Sequence, residues 1–509
     1  MQFTKIMPTV LLLLILVGCA STGMQDEIIR PDPSTAELPA TTGALAKFAA
    51  EVTARAGADE SGFRLLDSSY DGLLWRLALI DSAVSSIDIM TYLWYPDNSG
   101  TLLLERAVLA AERGVRVRLV VDDLLTIGQD QLFADIQAHP NIELRVFNPW
   151  KKRGLMSRAG EMIAEMERLN TRMHDKLQIA DGRAAIIGGR NIGDHYFGLG
   201  HSANFRDLDV LGIGPVALQA NDMFDQLWNS EMMVSAENLK TKADPEKARE
   251  AWENIRKNTR EAPELEAFPR EVKDWSAEFK ALLDELHFGK SMIVYDRIDG
   301  TTVQQDVFAG MFNFLGRAQE ELLITNAYII PGQTAIDFLQ VLADRGVKIR
   351  MLTNSLASHD TPAVNAHYQH WRDDLVNAGV DLYELRKDPA IAKGIVDVPP
   401  VESEFTSLHT KAVVIDSELV FIGSMNMDPR SANINTEMGA VIQSPGLAGE
   451  LRSIMLRDMR SDNAWRVTLD EDGELLWTNS DETVDKQPSR GFMNRVMNTI
   501  LRIVPVEQN

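Results

Sequence analysis

The pattern of apolar and polar residues repeats in two distant parts of the chain. Residues 111–118 predict a helix end, a glycine that terminates the helix, and a buried strand, and residues 343–350 repeat this pattern. Apolar segments at 86–90 and 321–325 predict the preceding strand of each copy. The strand–helix–strand order predicts two duplicated α/β domains, each with a largely parallel core sheet, related by an approximate twofold axis.

Other patterns predict elements outside the repeat. Residues 232–285 are strongly charged, and helical spacing at 245–257 and 271–286 predicts a helical linker. Residues 465–477 predict a hairpin around an Asp-Gly turn. Residues 491–504 predict a helix with one apolar face and interspersed arginines, which either lies on a membrane or packs on the protein body.

The N-terminal residues are typical of a secreted bacterial protein. Lys5 precedes an apolar run at 10–17, about half the roughly 20 residues that span a bilayer. The run ends at Cys19, the only cysteine of the chain, and resembles a lipoprotein signal in which this cysteine is lipidated; a cleaved signal with an incidental cysteine is the alternative. Because Ala20 differs from the aspartate of an inner-membrane retention signal, we expect attachment to the outer membrane, facing the periplasm.

These patterns divide the chain into six parts. The predicted parts are a signal peptide at 1–18, a lipidated cysteine and flexible tether at 19–60, a first domain at 61–231, a charged helical linker at 232–285, a second domain at 286–460, and a C-terminal hairpin and amphipathic helix at 461–509.

The composition favours a globular protein that does not bind nucleic acid. The 509 residues are 45% hydrophobic and 25% charged, with a formal net charge of −23. Since a negative body repels phosphate polymers, this charge counts against a nuclease and requires any phosphate site to be a local positive pocket.

A motif of chemically active residues occurs once in each half. In both copies, His, Lys, Asp, Gly and Asn follow one another at identical spacing. Two matches at equivalent places in a repeat are hard to obtain by chance. The motif side chains considered for catalysis are His174, Lys176, Asp181 and Asn191 in the first half, and His409, Lys411, Asp416, Ser424 and Asn426 in the second.

These residue types suit the cleavage of a phosphodiester. On a strand, alternate residues share a face, so the histidine and lysine of each motif point together. Lysines, amides and the Ser424 hydroxyl stabilise negative charge on phosphate oxygens, while one neutral imidazole attacks phosphorus and one protonated imidazole serves the leaving alcohol. We expect no metal and no cofactor, because the remaining close histidine pair, His367 and His370, lacks a ligand cluster.

The twin motif resembles the HKD signature of the phospholipase D superfamily, and the resemblance extends over the chain from about residue 61. Within the superfamily, the runs at 188–194 and 353–358 look closest to the C-type bacterial cardiolipin synthases. One departure is Gly189, where many relatives have serine.

The resemblance also implies roles for the motif residues. It implies a covalent phosphohistidine on His174, with His409 as general acid and then general base, although the symmetry of the motifs leaves the reverse assignment open. Carboxylates at Glu437 and Asp207, with Asp209 as a second choice, are expected to orient the imidazoles. Asp181 and Asp416 are expected to form structural ion pairs.

Several functions remain open at this point. Attack by phosphatidylglycerol on the intermediate would give cardiolipin, with phosphatidylglycerol or phosphatidylethanolamine as donor, and attack by water would give phosphatidic acid. A nuclease and a lipoprotein scaffold without catalysis are weaker alternatives. We expect membrane phospholipids as substrates and contact with the membrane through the lipid anchor; the sequence points to no particular accessory protein.

Overall fold

The computed structural model describes residues 30–501 apart from 125, 127, 154–157, 159, 162–163, 240–241 and 243. The predicted signal peptide, Cys19 and the first part of the predicted tether therefore lie outside the described residues. Two α/β halves share one 18-stranded sheet, which confirms the predicted duplicated α/β fold.

The first half contains six helices and eight strands among the described residues. The helices are α1 Gly43–Ala56, α2 Ser69–Ser82, α3 Asn98–Glu112, α4 Asp130–Gln137, α5 Met166–Asn170 and α6 Pro215–Trp228. The strands are β1 Ser61–Leu66, β2 Ser86–Thr91, β3 Arg116–Asp122, β4 Ile142–Phe147, β5 Leu177–Ala180, β6 Ala184–Gly188, β7 Asn204–Arg206 and β8 Asp209–Ile213.

The connecting region and the second half continue in the same order. The connecting elements are β9 Met233–Ser235, α7 Pro245–Glu261 and α8 Ser276–Leu282. The strands that follow are β10 His287–Tyr295, β11 Arg297–Asp299, β12 Thr302–Gln304, β13 Glu321–Asn326, β14 Lys348–Asn354, β15 Val380–Leu385, β16 Thr406–Leu408, β17 Lys411–Ile415, β18 Leu419–Gly423, β19 Met438–Gln443, β20 Ala464–Leu469, β21 Leu475–Thr478 and β22 Thr483–Val484. The helices are α9 Asp306–Leu315, α10 Gly332–Asp344, α11 Pro362–Tyr368, α12 Arg372–Asn377, α13 Pro429–Asn433, α14 Pro445–Asp458 and α15 Phe492–Leu501.

The core of each half is a mixed sheet. Strands β2, β3 and β4 are parallel, as are β13, β14 and β15, whereas the motif-bearing hairpins β5–β6 and β17–β18 pair antiparallel. The prediction of a largely parallel sheet is therefore wrong, because short turns after the motif strands can join only antiparallel neighbours. Strand β10 pairs with both β1 and β19 and so joins the halves.

The repeated glycines terminate helices as predicted. Gly114 has φ +94° after α3 and Gly346 has φ +92° after α10, and each precedes a parallel strand. This left-handed conformation favours glycine, which has no Cβ to clash with the preceding turn.

The segment before the first domain is packed on the body. Helix α1 buries Leu45, Phe48, Ala49 and Val52 in the same core cluster as α2 and α3. The extended residues before α1 also bond to the body: the Ala40 N–H donates to the Asp181 carbonyl oxygen at 3.0 Å. The prediction of a flexible tether at 19–60 is wrong over 30–60, because this stretch contains an apolar helical face that needs burial.

The other predicted elements form as follows. Helix α7 covers the predicted helix at 245–257, and β20–β21 form the predicted hairpin. The linker is not purely helical, since β9 pairs with β4. On α15 the apolar side chains of Phe492, Met493, Met497 and Ile500 are exposed, so they do not pack on the body. Of the helices in the described residues, none has the length and apolarity that a membrane crossing requires.

Candidate active site

Both motif histidines lie where the two halves meet. His174 and His409 stand immediately before strands β5 and β17, and both are buried. The backbone N–H of each histidine donates to a carbonyl of the other half: His174 to Thr436 at 3.1 Å and His409 to Arg206 at 2.8 Å. These bonds place the two imidazoles in one cluster, in which the charge of His409 acts on His174.

Each imidazole is bonded to a carboxylate of the opposite half. His174 Nδ1 lies 3.0 Å from both carboxylate oxygens of Glu437, and His409 Nδ1 lies 2.7 Å from Asp207 Oδ2. A carboxylate on Nδ1 favours the tautomer with hydrogen on that atom and leaves Nε2 free for chemistry. Asp209, the second choice from sequence, instead accepts hydrogen bonds from Arg76 and Arg190.

The two carboxylates differ in their surroundings. Ser424 Oγ and Ser431 Oγ donate to the two oxygens of Glu437. Ser424 was expected to bond a phosphate oxygen, but its hydroxyl proton is directed at Glu437, so it positions this acid. Asp207 has no serine beside it, because a Cβ at Gly189 would lie 2.3 Å from its Oδ1.

The motif lysines lie against the cluster and above tyrosine rings. Lys176 Nζ donates to the His174 carbonyl oxygen and lies 5.3 Å from the ring centroid of Tyr92. Lys411 Nζ donates to the His409 carbonyl oxygen and lies 5.9 Å from the ring centroid of Tyr328. Burial lowers the pKa of Lys176 to about 7 and that of Lys411 to about 8. A bound phosphate anion would restore their charged forms.

The motif asparagines are not equivalent. Asn191 Nδ2 donates to the Tyr196 hydroxyl at 2.8 Å, and its Oδ1 accepts from the Leu93 N–H at 3.2 Å. Asn426 Oδ1 is buried and has no hydrogen-bond partner among the described residues. A buried amide without a partner is costly, so the Asn426 side chain is the better placed of the two to bind a ligand.

The acids give the two histidines different protonation preferences. Burial lowers the pKa of His174 well below its usual value, and Lys176 and Lys411 add to the effect. Burial also lowers the pKa of His409, but Asp207 opposes this. Burial raises the pKa of Glu437 to about 7. Although burial disfavours its ionised form, Asp207 keeps a pKa well below its usual value because His409 and Lys411 are adjacent. The pKa of both histidines is therefore lowered, but the firmly ionised Asp207 makes His409 easier to protonate than His174.

Asp181 and Asp416 hold the backbone and lie away from the imidazoles. Asp181 accepts from the N–H groups of residues 84–86, and Asp416 from those of 319–321. Both adopt positive φ, +54° and +52°, at the turns after β5 and β17. The expected ion pairs are replaced by these bonds, because each turn leaves several backbone donors beside one carboxylate.

Some residues of the site escaped the sequence analysis. Tyr92 directly follows β2, whereas Tyr328 is the second residue after β13, so the two rings are one position out of register and an alignment of the two halves does not pair them. Tyr196 and Ser431 contact the cluster from equivalent positions of the repeat, each five residues after the motif asparagine, but with different side chains. Within the described part of the chain, no group of three or more His, Cys, Asp or Glu side chains is arranged to hold a metal ion.

The chain is similar to known proteins over both of its halves. The family model described as "Cardiolipin synthase, PLD-like domain" matches residues 77–228 and 311–459. Cardiolipin synthase C of Escherichia coli (strain K12) is 34% identical over 464 residues, covering 88% of this chain and 96% of that protein. An uncharacterized protein of Helicobacter pylori (strain J99) is 31% identical over 515 residues, covering 98% and 99%.

A solved structure shares the fold. Phosphatidylserine synthase of Haemophilus influenzae Rd KW20 superposes with a TM-score of 0.53 at 14% identity, covering 78% of this chain and 86% of that one. At this identity the likeness concerns the fold alone.

Proposed function

The chain belongs to the phospholipase D superfamily, in the family described as cardiolipin synthase, PLD-like domain, and on this premise we propose that it is a phosphatidyltransferase that makes cardiolipin from phosphatidylglycerol and a second phospholipid. The observation that carries the proposal is the pair of imidazoles bonded to unequal carboxylates of opposite halves. That arrangement orients both imidazoles and makes His409 the one of the two that takes a proton more readily.

In the first step, the neutral imidazole is the nucleophile. Nε2 of His174 attacks the phosphorus of the donor, and an N–P bond forms as the P–O bond to the headgroup alcohol breaks. His409, paired with ionised Asp207, donates its proton to the leaving oxygen. Lys176, Lys411 and the amide Nδ2 of Asn426 donate hydrogen bonds that stabilise the charge on the non-bridging oxygens.

In the second step, an acceptor hydroxyl releases the phosphatidyl group. His409, now neutral, removes the proton from a glycerol hydroxyl of phosphatidylglycerol, whose oxygen attacks phosphorus. The N–P bond breaks, and His174 returns to its neutral form. With phosphatidylglycerol as donor the released alcohol is glycerol, and with phosphatidylethanolamine it is ethanolamine.

Membrane contact is part of the proposal. Cys19 would carry the lipid of an outer-membrane lipoprotein facing the periplasm, and the exposed apolar side chains of α15 would contact the lipid surface. Four large apolar side chains on one short helix are costly in water, which supports an apolar environment for this face.

The reaction is tested with purified protein and phosphatidylglycerol in mixed micelles. Wild type should give cardiolipin and glycerol in equal amounts, and His174→Ala should give neither. His201→Ala is the matched control, because this exposed histidine pairs with Glu264 away from the cluster. Phosphatidic acid without cardiolipin would instead identify a phospholipase D, and cleavage of DNA without lipid turnover would identify a nuclease.

The two histidine roles are separated with a substrate that needs no acid. A phosphatidyl ester of p-nitrophenol has a leaving group that departs without a proton. His409→Ala should release about one equivalent of p-nitrophenolate and retain a phosphatidyl group on His174, detectable by mass spectrometry. His174→Ala should release none. The opposite result would exchange the two roles.

A further inference from the structure

A cavity of about 340 Å³ opens between helices α9 and α10 of the second half. Its walls are mainly aliphatic, methionine and aromatic side chains, and Asp428 and Asn433 are the polar residues of the lining. Phe312 contacts Phe308 and Phe338 edge to face, with ring centroids 5.7 and 5.2 Å apart. The volume falls in the range of about 300–1,000 Å³ that is typical of ligand pockets. Because polar groups transferred to such walls lose their hydrogen bonds, the lining favours a hydrocarbon ligand.

Residues 328–330 and 426–427 form a short two-stranded segment, here called the catalytic strap, which separates the cavity from the catalytic cluster. Ile329 and Met427 form a parallel bridge across the strap, and both line the cavity. The neighbouring residues Tyr328 and Asn426 belong to the cluster, where the Tyr328 ring lies 5.9 Å from Lys411 Nζ. A ligand with a phosphate in the cluster and a chain in the cavity would thus be held at both ends of the same short segments.

The fold itself does not require this opening, because the first half fills the corresponding place. Phe197 and Ala432 follow the motif residues Asn191 and Asn426 at equal distance in sequence. Phe197 is fully buried in the core of the first half, whereas Ala432 lines the cavity of the second. A small residue where the repeat carries a phenyl ring leaves this space open in the second half.

We propose that this cavity binds one acyl chain of the phospholipid whose phosphorus lies between the two histidines. The inference rests on the proposed function and deepens it by naming the substrate class as long-chain diacyl phospholipids. The chain is covalently joined to the phosphatidyl group, and its burial removes apolar surface from water. The cavity therefore contributes binding energy close to the reacting phosphorus without contacting the headgroup that leaves.

The first test is direct binding, which does not depend on turnover. Phosphatidylglycerol with brominated acyl chains, added in detergent micelles, quenches tryptophan on contact, and Trp371 lines the cavity. Quenching that occurs in wild type and is absent in Trp371→Phe is the part that comes from Trp371. Ala432→Phe copies the first half, and Ala335→Phe fills the cavity from α10 without touching the catalytic strap. Gln340→Phe is the control, because this exposed α10 residue is outside the lining.

We expect quenching of Trp371 in wild type and Gln340→Phe, and its loss in both filled variants. In turnover assays, the filled variants should raise the KM for dioleoyl phosphatidylglycerol at least tenfold and leave dihexanoyl phosphatidylglycerol nearly unchanged. No Trp371 quenching in wild type, or an unchanged KM in the Ala335→Phe protein, would overturn the proposal. Turnover of neither lipid by wild type, with quenching intact, would overturn the proposed function and leave the acyl site supported.

Discussion

A single added side chain at Gly189 tests how the site keeps its acids in place. A Cβ at this position would lie 2.3 Å from Oδ1 and 2.8 Å from Oδ2 of Asp207, whereas ordinary contacts begin at 3.4 Å. In Gly189→Ser, the carboxylate must therefore retreat by roughly 1 Å. The main chain cannot easily follow, since the Asp207 carbonyl oxygen accepts hydrogen bonds from the buried Arg190 and Arg206.

The expected loss follows from the bond that is broken. Asp207 Oδ2 lies 2.7 Å from His409 Nδ1, and a shift of roughly 1 Å takes this pair outside hydrogen-bond distance. A hydrogen bond to a charged group contributes about 1.5–3 kcal/mol. Since about 1.4 kcal/mol is tenfold in rate, kcat should fall by about 10- to 100-fold.

The assay is kcat for cardiolipin formation, with urea unfolding to show that the variant is folded. Gly449→Ser is the matched control, because a Cβ at this position on α14 meets no atom within 4 Å. Gly189→Ser in an Asp207→Ala background should cost little more than Asp207→Ala alone, since both changes remove the same bond.

Two results would refute this reasoning. One is a kcat for Gly189→Ser within twofold of wild type, which would mean that the carboxylate has room to move without losing His409. The other is a double variant whose losses multiply, which would mean that Gly189 acts on something other than Asp207.

Three further outcomes are expected. The ratio kcat/KM should peak near pH 7. Below this pH Glu437, with a pKa of about 7, takes a proton and ceases to accept from His174; above it Lys176, with a pKa of about 7, and then Lys411, with a pKa of about 8, lose their charge. A flat profile from pH 6 to 9 would contradict this. Asp181→Ala should lower the free energy of unfolding in urea by about 3 kcal/mol, because three backbone donors lose their acceptor, with kcat of the folded protein unchanged; a loss of kcat without loss of stability would argue for a catalytic role. In a Cys19→Ser protein, changing both Phe492 and Met493 to serine should weaken sedimentation with phosphatidylglycerol vesicles at least tenfold, and equal binding would exclude α15 from the membrane contact.

The sequence predicts the duplication and the motif positions because both depend on local rules. Equal spacing of His, Lys, Asp and Asn in two places requires two equivalent strand hairpins, and the structure has them at β5–β6 and β17–β18. The glycines after α3 and α10 follow from helix termination alone. Helix α1 had a readable signal, since Leu45, Phe48 and Val52 share a helical face, but the Ser- and Pro-rich residues before it favoured a tether.

The pairing of acids with histidines is not a local property. Glu437 lies in the same half as His409, and Asp207 in the same half as His174, so proximity in sequence suggests the wrong partners. Only the packing of one half against the other brings each carboxylate to the opposite imidazole. The antiparallel pairing of the motif strands was more accessible, because the short turns at Asp181 and Asp416 permit no crossover.

The exchange of carboxylates between halves bears on how such a chain evolves. In a symmetric dimer of one-motif subunits, any substitution beside one acid appears beside both, so the two imidazoles must remain alike. Fusion into a single gene removes that restriction. In this chain one acid is Asp207, beside Gly189, and the other is Glu437, beside Ser424, so the surroundings of the two imidazoles differ. Once each has specialised, neither half alone supplies both kinds of acid, so the unequal pair exists only in the fused chain.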